Sequence, residues 1–121
     1  MKTFNYTINK EPLGSLIDFS FFKEKKNVLI QIFCGEKKNI LKNILDEITN
    51  ELPQAICIGS STDGEINNDK ITTLNTIITI SIFEKTTLKI AHVNEKDCFS
   101  NGKKLATLLC NEETKLIIAF T

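Results

Sequence analysis

Hydroxyls, carboxylates and glycines are concentrated in one stretch of this chain, GSSTDGEI from Gly59 to Ile66. Its spacing, G-x-x-x-x-G-E-I, stands one charge away from the G-x-x-x-x-G-K-[ST] loop that cradles phosphates. Such a loop needs its lysine as counter-charge, a hydroxyl for magnesium, and a helix opening at that point. Here Glu65 stands where the lysine would be, and Ile66 replaces the hydroxyl. The following NNDKITTLNTIITI is β-like, so no helix dipole points at the loop. The stretch NGKK around Gly102 does no better, with Asp97 at the first glycine position and Lys104 at the hydroxyl position. Nucleotide hydrolysis is excluded.

Other catalytic patterns fail as well. A nucleophile elbow, G-x-S-x-G, has Ser61 in place but Asp63 where the second glycine belongs. The one histidine, His92, shares an alternating face with Leu88 and Ile90, which reads as a core or edge residue rather than a base. Cys34, Cys57, Cys98 and Cys110 show no C-x-x-C pair and no regular spacing. One histidine and four scattered cysteines do not make a metal site. The cysteines read as small buried or half-buried thiols, reduced in a cytosolic chain. No metal and no cofactor is expected.

Composition narrows the classes further. The 121 residues are long enough for one domain with a real core, and 41% hydrophobic with 25% charged residues is ordinary for a globular protein. Fifteen basic against fifteen acidic residues give a net charge of zero, and the eight Phe and one Tyr are not interleaved with Arg. No basic field is available for nucleic acid. The start, MKTFNYTINK, lacks a secretory apolar region, and no apolar run approaches a membrane span.

The elements that must position the loop follow from periodicity. FNYTI alternates as a half-buried strand, Pro12 opens a short helix over Leu13, Leu16 and Ile17, and DFSFF supplies a satellite aromatic cluster. VLIQIF, Val28 to Phe33, reads as a strand covered on both faces. Ile40, Leu41, Ile44, Leu45 and Ile48 recur at helical spacing, and Pro53 stops that helix before the strand QAICI. Strand–helix–strand from Val28 to Ile58 is a parallel, right-handed βαβ unit. NTIITISIF and TTLKIAHV, joined by EKT, read as an antiparallel hairpin. Ser100 is the expected N-cap of a helix carrying Leu105, Ala106, Leu109 and Cys110, and LIIAF is a closing apolar strand. The fold class is α/β or α+β: one mixed sheet with a parallel βαβ unit and a central antiparallel hairpin, with helices packed on it. LIIAF finishes the chain with nothing after it to cover its two apolar faces, which reads as a fragment of something longer with apolar surface left near its end.

The polar loop lies at the carboxyl end of an inner strand, where open α/β sheets bind ligands. Ser60, Ser61 and Thr62 offer hydroxyls, Asp63 and Glu65 offer carboxylates, and Gly59 and Gly64 allow close backbone approach. Cys34-Gly35 and Phe120-Thr121 end the other two apolar strands, so with the three strands as neighbours these groups line one crevice. The alternative is a solvated Asp-Gly turn joining two strands.

The segments VLIQIFCGEKK, LPQAICIGSSTDGEI, ITISIFEKTTLKIAHV, NGKKLATLL and LIIAFT, in this order, resemble the amino-terminal part of the FIST sensory domain. The resemblance runs from about Val28 to Thr121 and is most specific in GSSTDGEI, with FEKTTLK and AFT in support. It implies an intracellular bacterial sensory module for a small ligand such as an amino acid. It also implies an output domain in the same chain, such as a diguanylate cyclase, phosphodiesterase, histidine kinase or chemoreceptor signalling region. Residues 1–121 would then be a single domain, the amino-terminal fragment of a longer FIST-type sensory domain.

Three classes of function stay open on the sequence. The first is a non-catalytic ligand sensor whose ligand shifts a conformational equilibrium. The second is an interaction or homodimerisation module in which the loop is only a turn. The third is an enzyme with Cys34 as a low-pKa nucleophile at a helix amino terminus, a reading that lacks a base.

Overall fold

In chain order the elements are β1 (Lys2–Ile8), α1 (Leu13–Leu16), α2 (Phe19–Lys23), β2 (Val28–Cys34), α3 (Lys38–Glu51), β3 (Ile56–Ser61), β4 (Glu65–Asn67), β5 (Lys70–Thr72), β6 (Thr76–Ile82) and α4 (Cys98–Leu109). This computed structural model describes residues 1–9, 11–67, 69–94 and 96–120, in two compact units divided after Leu88.

The first unit is built on a four-stranded sheet in the order β1-β6-β2-β3. β2 and β3 are parallel, as the connecting helix α3 requires, while β6 runs antiparallel to both β1 and β2. The sheet is therefore mixed. Its register places Ile30 against Ile80, Ile32 against Ile78 and Val28 against Ile82, so these six side chains share one face. Leu13 and Ile17 around α1, Phe19 and Phe22 of α2, and Ile44 and Ile48 of α3 close over that face as one core. The opposite face carries polar pairs across strands, with Thr3 bonded to Ser81 at 3.1 Å and the Thr79 hydroxyl donating to Asn5 at 2.9 Å.

Local chemistry sets the ends of the helices. Asp18 caps α2 by accepting from the main-chain N–H groups of Ser20 and Phe21, and its carboxyl is held below the usual carboxylate range by the Ser20 hydroxyl first and then by these main-chain bonds. α3 stops at Leu52, directly before Pro53. The aromatic stretch does more than expected: Phe19 and Phe22 belong to the main core, while Phe21 stays exposed and meets Phe4 and Phe22 edge-on.

Among the described residues each outer strand of this sheet pairs on one side. β1 carries Lys2, Thr3, Asn5 and Thr7, whereas Ala55 to Thr62, around β3, contains neither a charge nor a proline.

Two expected strands do not form. Residues 86–94 carry no helix or strand, so the hairpin between NTIITISIF and TTLKIAHV is absent among the described residues. The physical reason lies in the sheet order: β6 already has β1 on one side and β2 on the other, and no edge remains for a third partner. His92 is exposed there rather than in the core. In the second unit Leu116, Ile117, Ile118 and Phe120 are likewise irregular and exposed. A strand needs a partner to satisfy its backbone, and this unit contains no other strand among its described residues. Its helix α4 is capped by Asp97, not Ser100: the Asp97 carboxylate accepts the Ser100 N–H at 2.9 Å and the Ser100 hydroxyl at 2.7 Å. No helix among the described residues is long and apolar enough to cross a membrane.

Candidate functional site

One cross-sheet row defines the end of the sheet that faces the polar loop. Ile8 pairs with Thr76, Thr76 with Cys34, and Cys34 with Ser61. β1, β2 and β3 all run toward this row and β6 starts from it, so the carboxyl ends of three strands meet at one rim. The rim is where a mixed α/β sheet exposes loops free of ladder bonding.

Short main-chain bonds stitch the loops to the rim. The Gly35 N–H donates to the Asn75 carbonyl at 2.8 Å, and the Thr62 N–H donates to the Cys34 carbonyl at 3.0 Å. Below them Cys34 is fully buried, with the Thr76 hydroxyl 3.2 Å from its sulfur. Cys34 is the last residue of β2 and lies outside α3, which begins at Lys38 with Lys37 in the N-cap position. A thiol without access to solvent cannot attack a dissolved substrate. Burial pushes the Cys57 thiol up to about 11, leaving that group protonated at neutral pH.

Glu65 departs furthest from a solvated loop carboxylate. It is 3% exposed. Its Oε1 accepts the Thr62 hydroxyl at 2.6 Å, and its Oε2 lies 3.4 Å from the Asn75 N–H. The carboxylate thus ties the loop after β3 to the segment before β6. Gly35 makes room for it, since a Cβ there would come within 2.2 Å of Oε1 and 3.0 Å of the Leu74 nitrogen. Gly35→Ala is expected to cost about 1–3 kcal/mol, because a buried, hydrogen-bonded carboxylate must give way. Urea denaturation of the variant checks this, and an unchanged midpoint would mean the carboxylate moves freely.

The remaining loop groups face outward. Asp63, Gly64 and Ser61 are exposed, and Ser60 is half-buried, with its hydroxyl donating to the Ser61 carbonyl at 3.0 Å. Gly59 is exposed on β3 directly across from Ile32. The structure therefore brings Cys34, Gly35 and the Gly59–Glu65 segment to one end of one sheet. Thr121 lies outside the described residues.

Sequence reasoning missed the other half of the rim. After Glu65 the chain forms the two-stranded β4–β5 hairpin, with Ile66 opposite Ile71 and both about three-quarters exposed, at 74% and 77%. Leu74 follows with φ 59°, a left-handed backbone that is costly for a branched side chain, and is 75% exposed. A hollow of about 130 Å³ is lined by Ile8, Asn9, Glu36, Leu74 and Asn75. The sequence signal for the hairpin was the pair of short β-like runs flanking a polar stretch. Among the described residues no group of three or more His, Cys, Asp or Glu could hold a metal ion.

The family model described as the FIST N domain matches residues 28–121. That span includes β2, α3, β3, the loop and hairpin, β6 and α4. No curated protein and no solved structure matches the chain.

Proposed function

From the membership of this chain in the FIST N domain family, a family of sensory, non-catalytic signal-transduction domains, we propose that it senses a small ligand such as an amino acid at the rim of its sheet. The observation that carries this reading is the convergence of three strand ends with the Gly59–Glu65 loop on one row. In it, Cys34 and Gly35 form the floor, Gly59, Ser60, Ser61, Thr62, Asp63 and Gly64 present backbone and polar groups, and Glu65 holds the loop in place. Residues 1–121 act as one domain, the amino-terminal part of a longer FIST-type sensory domain, in a cytoplasmic protein. Ligand occupancy biases the conformation that an output domain in the same chain, such as a diguanylate cyclase, reads.

Asp63 is the exposed carboxylate of the loop, and a carboxylate–ammonium contact is stronger than a neutral hydrogen bond. A thermal-shift screen with amino acids identifies a stabilising ligand. Calorimetry with Asp63→Asn is then expected to show affinity reduced about tenfold, the shape being kept and the charge removed. Equal affinities for both proteins would remove Asp63 from the site, and a screen with no stabilising amino acid would count against the sensor reading.

The exposed apolar side chains Ile66, Ile71 and Leu74 favour a second reading, an interaction module that pairs two copies through the β4–β5 hairpin. Sedimentation at increasing concentration separates the two: a ligand-independent dimer lost in Ile66→Ser supports the second.

A further inference from the structure

Glu65, Asp63 and Glu36 place three carboxylates at the rim, and their surroundings differ. Glu65 is buried and already accepts from Thr62 and Asn75, so it is spent on the fold. Asp63 is exposed in the loop and is not among the residues lining the hollow. Glu36 lines the hollow and is half-buried, with no ion pair or hydrogen bond to its carboxylate among the described residues.

We propose that the hollow formed by Ile8, Asn9, Glu36, Leu74 and Asn75 seats a compact primary ammonium group, with Glu36 as its anchor. The proposal rests on the sensor reading and names a second carboxylate of the rim, besides Asp63, that meets a cationic group. A carboxylate at a partly enclosed hollow gains more from a cation than one in open water does, because less water competes for it. The side-chain amides of Asn9 and Asn75 supply further acceptors, which an ammonium with three N–H donors can use. Ile8 and Leu74 give the hollow an apolar wall. Its volume, about 130 Å³, corresponds to roughly four water molecules. That suits an ammonium on a short aliphatic stem, with any carboxylate of the ligand held outside the hollow, away from Glu36.

The position also provides a route for signalling. The Asn75 main chain bonds Gly35 through its carbonyl and Glu65 through its N–H, while the same residue lines the hollow. Filling the hollow therefore acts on the residue that fixes the carboxylate tether of the loop.

The test uses the 121-residue chain labelled with ¹⁵N and titrated with propylammonium chloride, with sodium propionate and propanol as charge controls at matched ionic strength. Propylammonium is expected to move the amide signals of Glu36, Leu74 and Asn75 saturably, and the two controls to leave them in place. Glu36→Gln is expected to weaken the response by about tenfold or more, with the rest of the spectrum reporting that the fold is intact. Equal shifts from propionate or propanol, or undiminished binding by Glu36→Gln, would overturn the proposal. If an amino acid stabilises the protein and Glu36→Gln binds it equally well, the hollow is lost and the sensor reading stands. If neither amino acids nor propylammonium move any signal, both fall together.

Discussion

Gly59→Ala is expected to unfold at a markedly lower urea concentration than the parent chain, with an unchanged slope and a loss of about 3 kcal/mol. A methyl group at Gly59 would stand 2.2 Å from the main-chain oxygen of Ile32 and 3.1 Å from both its carbonyl carbon and its Cβ. These are mostly backbone atoms of the neighbouring strand, so no rotamer change relieves the clash. β2 and β3 must part locally, which strains the parallel pairing of Ile32 with Gly59 and of Phe33 with Ser60. The stiffening that alanine brings to the unfolded chain returns at most about 1 kcal/mol. Gly64→Ala is the control: its Cβ would meet only the Thr72 carbonyl oxygen, at 3.6 Å, an ordinary contact, and its midpoint should hardly move. Equal midpoints for Gly59→Ala and the parent would show that the strands are not this close.

The second large effect lies in the core. Phe22→Ala is expected to cost about 3–5 kcal/mol, through lost transfer energy and the cavity left behind. Phe22 is 1% exposed and contacts Phe4 and Phe21 edge-on, with ring centroids 5.3 and 5.1 Å away. Its neighbour Phe21 is 41% exposed and also lies under the Lys25 ammonium at 4.9 Å. Phe21→Ala should therefore cost only about 0.5–1.5 kcal/mol, the scale of its aromatic contacts. Comparable losses for the two variants in thermal and urea unfolding would mean that α2 does not sit on the sheet as described.

The parts of the fold legible in the sequence are those whose pattern and partner are both local. Ile44 and Ile48 repeat at helical spacing, Val28 to Cys34 is apolar nearly throughout, and the helix between β2 and β3 forces them to be parallel. Residues 86–93 and 116–120 show where this stops. Alternation or apolarity states that a segment could be a strand, and whether a partner strand meets it is decided elsewhere in the chain. The rim was half legible. Glycines and hydroxyls announced the loop, yet nothing in GSSTDGEI states that Glu65 turns inward while Ile66 turns out. That inversion of the usual rule depends on Gly35, thirty positions earlier, leaving space for a carboxylate. Asn9, Glu36 and Asn75 carry no motif at all, and three separate loops bring them to one hollow.

The two outer strands give the sheet the character of a crystal with one terminated face. Along β1, an arriving strand has to accommodate the charge of Lys2 beside the polar side chains of Thr3, Asn5 and Thr7. Along Ala55–Thr62 it meets no charge to desolvate and no proline to break its ladder. Growth is thus favoured in one direction, away from β2 across β3, whatever the origin of the added strand. Since β3 ends in the polar loop, any such addition would arrive beside Ser60 and Ser61, coupling the width of the sheet to the shape of its rim.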